Sequence, residues 1–247
     1  MRSAATIPTV PAAWSDPDPG GGWLLDAARR WHAAGDAAAA ARTVAGDLAA
    51  VLPSSCSVAV TLLGPGRMPL APAGSAGPAA GLDAVQVRLD TGPLTAALTG
   101  TSSGSADLGR DPRWPALAGP AATARVRRVT CLPLDTGREV VGTLSVYGTG
   151  PAAGPDPDAL VPVAGHAALA LRTLQRTQHL TVALASRDVI GQAKGVLMER
   201  YRITADAAFG ILVRASHDAR RKVRDIAALV TETGEAPPPD APPEGPR

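Results

Sequence analysis

Between Arg187 and Asp225 stand nine lysines and arginines: Arg187, Lys194, Arg200, Arg202, Arg214, Arg220, Arg221, Lys222 and Arg224. Five acidic residues share the stretch, which leaves it a net charge of +4. A local surplus of this kind suits a phosphate backbone, and arginine adds planar stacking on splayed bases. Tyr201 supplies an aromatic ring with a polar tip in the same region. A solvated helix end would carry the same charges, so charge alone leaves both readings open. Within the stretch, "IGQAKGVLMERY" (190–201) sets Lys194 between Gly191 and Gly195, in a segment that otherwise reads as helix. Glycine costs a helix about 1 kcal/mol against alanine. Four residues apart, the two glycines share a face on which a neighbouring helix could come close, with Lys194 held beside it. The plainer alternative is that the glycines serve only packing and the lysine is solvated.

Elsewhere the sequence offers little chemistry. It has no Gly-x-Ser-x-Gly, no P-loop and no paired catalytic carboxylates, so neither an enzyme nor a cofactor is expected. His32, His166, His179 and His217 are dispersed, and Cys56 and Cys131 form no Cys-x-x-Cys pair, so no metal site is expected. Both cysteines read as small buried hydrophobes on strands, with no disulfide. Asp111 and Arg113 flank Pro112 just before Trp114 and are candidates for a pocket mouth. An Asp-Pro turn that packs Trp114 is the favoured reading of those residues.

The whole chain carries only +2 over 247 residues, which excludes a basic nucleic-acid coat and confines any basic surface to one region. No run approaches the roughly 20 apolar residues of a membrane span, and the N-terminus has no apolar signal core. A cytoplasmic protein is the expectation. Segments 1–21 and 236–247 are rich in proline, glycine and aspartate and are expected to be disordered.

Periodicity supplies the elements that must hold these groups. Trp23–Pro53 reads as a helix stopped by proline, and Cys56–Gly64 as a strand. Residues 64–81 read as a loop, Ala84–Asp90 as a strand by alternation, and Gly92–Gly100 as a short helix. Residues 103–118 read as a long loop. Ala124–Leu134 and Glu139–Gly148 read as a hairpin around "DTGR". From Asp158 a helical pattern runs uninterrupted by glycine or proline from Ala167 to Ile190, with Pro162 in its first turn, long enough to project and pair as a coiled coil. Two short amphipathic helices follow, the first capped by Thr204 and the second ended by Gly234. With the end of the long helix they make a three-helix bundle. Ile190, Leu197, Met198, Leu212 and Ile226 are its expected core.

Residues Ser186–Gly234 closely resemble the ANTAR domain, an RNA-binding three-helix module of bacterial transcription antiterminators. The resemblance rests on Ile190, Ala193-Lys194-Gly195, Leu197-Met198, Ala207, Phe209, Leu212, Arg214, Ala215-Ser216, Arg221-Lys222 and Arg224-Asp225-Ile226-Ala227. It implies binding to paired RNA hairpins in nascent transcripts, and a homodimer that couples signal to binding. Lys194, Tyr201, Arg214, Arg220, Arg221, Lys222 and Arg224 are then the expected RNA contacts. Arg220 stands where relatives usually carry asparagine, a residue that would cap the last helix well; the expectation is that Asp218 or Ser216 substitutes or that the helix start frays.

Residues 23–175 resemble a GAF sensor domain, most strongly at "DPRWP" (111–115) and at the hairpin. The resemblance implies an unidentified small-molecule or protein signal. Leu94 follows Gly92-Pro93 where many relatives have cysteine, so a thiol role there is unavailable. The expected fold class is α+β. A GAF-like antiparallel sheet flanked by helices (22–157) precedes a connecting coiled-coil helix (158–185) and an all-α three-helix bundle (186–235). The competing reading is a protein–protein signalling scaffold without RNA binding, which salt dependence would separate from the first.

Overall fold

The computed structural model describes residues 21–75, 77–150 and 155–235. The ends expected to be disordered lie outside these residues, except Gly21, which opens the first helix. The chain divides into two compact units, Met1–Arg176 and Thr177–Arg247.

The first unit begins with two helices, α1 (Gly21–His32) and α2 (Ala37–Val51), where one continuous helix was expected. The break follows from Asp36. Its backbone is extended (φ −153°), and its carboxylate accepts the Ala39 N–H at 2.7 Å, the geometry of a new N-cap. Asp47 of α2 ties the pair together, accepting from Trp31 Nε1 at 2.9 Å and Arg30 Nη2 at 3.0 Å. Leu52 turns extended ahead of Pro53, as the residue before a proline must.

Five antiparallel strands follow: β1 (Cys56–Leu62), β2 (Ala73–Gly74), β3 (Ser103–Ser105), β4 (Arg128–Asp135) and β5 (Val140–Gly148), in the order β2-β1-β5-β4-β3. The hairpin expected from its alternation forms, paired from Arg128↔Gly148 to Leu134↔Gly142. Side chains alternate between two cores, as strand geometry requires. Val58, Val60, Leu132, Leu134, Leu144 and Val146 face one side, packed with α1, α2 and the start of the long helix. Ala59, Val129, Cys131 and Tyr147 face the other.

That second side is covered by α3 (Ala79–Leu89), α4 (Pro93–Leu98) and α5 (Ala118–Thr123). Three expectations are corrected here. Residues 84–89 of the segment 84–90, expected as a strand, belong to α3, with Asp90 its left-handed C-cap, because the buried positions are Ala79, Leu82, Asp83 and Gln86, which recur at helical spacing. Of the polar residues in that alternation, Gln86 is buried, while Arg88 and Asp90 remain exposed. The expected loops 64–81 and 103–118 contain the short edge strands β2 and β3. The strand expected from Ala124 starts only at Arg128, since the turn that ends α5, with Ala124 as its C-cap and Arg125 left-handed, occupies the preceding residues.

Helix α6 (Pro157–Tyr201) runs unbroken for 45 residues, and the division into units falls within it. Because it starts at Pro157, Pro162 sits in its second turn rather than its first. Leu160, Val163, Ala167 and Leu171 join the first unit's core.

In the second unit, the end of α6 meets α7 (Ala205–Ala219) and α8 (Val223–Thr233). The expected caps are present. Thr204 Oγ1 accepts from Ala207 N at 3.3 Å, and Gly234 closes α8 in the left-handed region (φ 68°). Ala193, Leu197, Ala208, Ile211, Leu212, Ile226, Ala227 and Val230 form the core. Fully burying each large aliphatic among them contributes about 1.5–3 kcal/mol. Ile190 is half-buried against this core, but Met198, expected inside it, is 37% exposed. No helix among the described residues is long and apolar enough to cross a membrane.

Candidate nucleic-acid interface

The α7–α8 turn gathers the basic residues that the sequence clusters. Helix α7 ends in a left-handed residue, Arg220 (φ 51°, ψ 37°). Its N–H donates to the His217 carbonyl at 3.2 Å, and the next N–H, from Arg221, reaches back to Ser216 at 3.1 Å. This is a Schellman-type ending, whose left-handed position favours glycine or asparagine. The asparagine that the family resemblance implies at this position would fit the left-handed conformation. It serves the end of α7 rather than capping α8.

Lys222 takes the N-cap position of α8 with no side-chain cap bond. Neither expected substitute caps α8; Ser216 Oγ instead donates to the Arg221 carbonyl. This pins the turn so that Arg220, Arg221 and Lys222 are all exposed. Arg224, in the first turn of α8, is paired with Asp225 (3.3 Å), an exposed contact of little stabilising value.

The other expected contacts stand on different elements. Lys194 is half-exposed on α6 beside the core residues Ala193 and Leu197. Arg214 is exposed on α7. Tyr201 is half-buried and packs against the bundle core. Two basic residues of the stretch have local structural work. Arg200 Nη1 donates to the Gly234 carbonyl, joining the end of α6 to the end of α8. Arg202 pairs with Glu199 at 3.5 Å. Gly191 and Gly195 are exposed, and a Cβ built on either meets nothing within 4 Å. Among the described residues no neighbouring helix uses the space they leave.

In the first unit, Asp111, Arg113 and Trp114 are brought together as a clip. Arg113 grips the Asp111 carboxylate with two bonds of 2.8 and 3.0 Å, and its Nη2 also donates to the Gly104 carbonyl of β3 at 2.7 Å. Its guanidinium lies 4.1 Å from the centre of the Trp114 ring, a cation–π contact. Arg113, with Ser105 helping, holds the Asp111 carboxyl well below the usual range. Trp114 packs against the second core, so these residues fasten an edge strand to the fold.

Sequence reasoning missed a buried polar network on the same side of the sheet. Thr61 Oγ1 donates to Asp83 Oδ2 at 2.7 Å, and Gln86 Nε2 donates to the Tyr147 hydroxyl at 2.5 Å. Gln86 Oε1 accepts from Leu94 N at 2.9 Å. The available signal was a pair of polar residues three apart, Asp83 and Gln86, inside an apolar run. Cys131 and Cys56 are free and buried, and burial raises both thiols above their ordinary range. Among the described residues no group of three or more histidine, cysteine, aspartate or glutamate side chains could hold a metal ion.

Residues 178–230 match the family model of the ANTAR domain. No curated protein matches the chain. Among solved structures, the chain is similar to the GAF domain of a phosphoenolpyruvate-protein phosphotransferase from Coxiella burnetii. Identity is 16%, covering 64% of this chain and 95% of that one, with a TM-score of 0.46. It is also similar to residues 122 to 287 of a methyl-accepting chemotaxis protein, at 18% identity over 61% and 98% of the two chains, with a TM-score of 0.46. A third likeness is to free methionine-R-sulfoxide reductase from Neisseria meningitidis, at 14% identity over 71% and 96%, with a TM-score of 0.47. Residues 178–230 thus match the ANTAR domain model, and they are preceded by the five-stranded antiparallel sheet flanked by helices, the α+β arrangement expected from the sequence.

Proposed function

We propose that the protein is a cytoplasmic, homodimeric regulator that binds paired hairpins in nascent RNA through its ANTAR domain and promotes transcription antitermination. The GAF-like unit receives the controlling signal, and the reading assigns no catalysis to either unit. The observation that carries it is the ANTAR match on a bundle whose α7–α8 turn exposes three consecutive cations, Arg220, Arg221 and Lys222. Exposed cations in sequence track a phosphate backbone without reading bases, which suits recognition of a hairpin by shape.

The test is a filter-binding titration of the full chain against tandem-hairpin leader RNA at low and physiological salt, with a scrambled RNA of equal length as control. Hairpin-preferring binding that weakens steeply with salt supports the reading. A scaffold reading also has an observation in its favour: Phe209 (42%), Leu229 (38%) and Met198 (37%) are exposed on the bundle. An apolar protein contact would resist salt, so the same titration separates the two.

A further inference from the structure

An open cleft of about 430 Å³ lies in the first unit, lined by none of Asp111, Arg113 and Trp114. Its size falls in the roughly 300–1,000 Å³ range of small-molecule sites. Arg110, Arg125 and Arg127 line it with a single carboxylate, Asp107, over a floor that includes Ala118 and Ala121. Asp107 is committed to Arg127 at 2.9 Å. The guanidinium groups of Arg110 and Arg125 have no hydrogen-bond or ion-pair partner among the described residues. Three arginines around one carboxylate leave a surplus of two positive charges, and like charges sharing a cleft repel unless an anion joins them.

The backbone holds this arrangement in place. Arg125 sits in the left-handed region (φ 54°), which side chains ordinarily avoid. Around it, Arg125 N donates to Ala122 O at 3.0 Å, Val126 N to Ala121 O at 2.9 Å and Arg127 N to Gly148 O at 3.0 Å. Leu108 N closes the opposite wall onto Arg127 O at 2.6 Å. The bonds to Ala122 and Ala121 are the Schellman-type ending of α5, the geometry that also closes α7 at Arg220, and they fix where the Arg125 side chain leaves the backbone.

We infer that this cleft binds a small phosphorylated metabolite through its phosphate, with Arg110 and Arg125 as the anion-binding residues. A phosphate monoester carries close to two negative charges at neutral pH and accepts the forked geometry of guanidinium. The small alanine floor leaves room for the remainder of a molecule of sugar-phosphate size. This inference deepens the sensor reading of the first unit and rests on it for its purpose, though not for the binding itself.

The test is calorimetric titration of the full chain with ribose 5-phosphate, with ribose and succinate as controls. Arg125→Gly removes the guanidinium while relieving the left-handed backbone, so the variant should fold at least as well as the parent. Both Arg125→Gly and Arg110→Gln should weaken binding tenfold or more, with an unchanged or raised Tm for the glycine variant. Lys222→Gln, on the second unit, should leave this binding unchanged. No binding to the parent chain at millimolar ligand overturns the inference. So does binding that ignores both cleft variants, that falls with Lys222→Gln instead, or that succinate matches. An RNA titration with and without ribose 5-phosphate then tests the link. Cleft binding without an RNA response supports the site and overturns only the sensor reading.

Discussion

The Tyr147 hydroxyl lies 2.5 Å from Oδ1 of Asp83, and both side chains are completely buried between the sheet and α3. Burial, offset in part by donations from Tyr147, Thr61 and Ser145, pushes the Asp83 carboxyl up to about 6. In an unfolded chain the same group titrates at about 3.9. Between these values the folded state holds a proton that the unfolded chain has released. The stabilising share of that proton is complete below about pH 4 and is lost as pH rises through about 6. The change is on the order of 3 kcal/mol. Urea unfolding of the full chain across pH 4–7.5 should show this loss in the first unit. Asp83→Asn should flatten it, and an equally steep profile in the variant would remove Asp83 as its source.

The same residue shows where the sequence could be read and where it could not. The hairpin β4–β5 was legible because its alternation is long and a glycine-containing turn joins its strands. The Thr204 and Gly234 caps were legible because local backbone chemistry decides them. Helix α3 was misread because Asp83 and Gln86 are buried by long-range partners, Tyr147 being 64 and 61 residues away. Strands of two and three residues, β2 and β3, exist only through their neighbours in the sheet. At the candidate interface, the cluster 220–222 stands in the sequence itself. The structural use of Arg200 does not, because its acceptor is 34 residues further on.

Arg220 separates stability from binding. Its left-handed conformation (φ 51°) costs a side-chain-bearing residue roughly 1–2 kcal/mol, which asparagine partly avoids. Arg220→Asn should therefore raise the Tm of the second unit while weakening RNA binding, because one exposed charge is lost. A calorimetric scan and a filter-binding titration on the same preparation check both halves. A lowered Tm would mean that the arginine side chain stabilises the turn more than its backbone strains it.

Lys194 is half-exposed on a helix whose neighbouring side chains fill the core. Removing its ammonium leaves that core untouched. Lys194→Ala should keep the Tm near that of the parent, lower RNA affinity several-fold and reduce the salt slope of binding by about one. Unchanged affinity would make it a solvated residue beside two glycines.

Those glycines carry the last prediction. Gly191 and Gly195 are exposed on α6, and a Cβ at either position meets nothing within 4 Å in this chain. For the isolated chain, Gly191→Ala or Gly195→Ala should then raise helix stability by about 0.8–1 kcal/mol each. Glycine at both positions thus gives up stability with no internal gain, so the gain must lie in something that approaches from outside. In a homodimer the partner's helix is that object, and Leu180 (58% exposed) and Leu184 (62% exposed) extend the same stripe along α6. Each alanine variant should melt higher at low concentration yet dissociate several-fold more readily in sedimentation equilibrium. If the variants gain stability and self-associate as the parent does, the close approach is made to RNA instead, and their filter-binding affinity should fall.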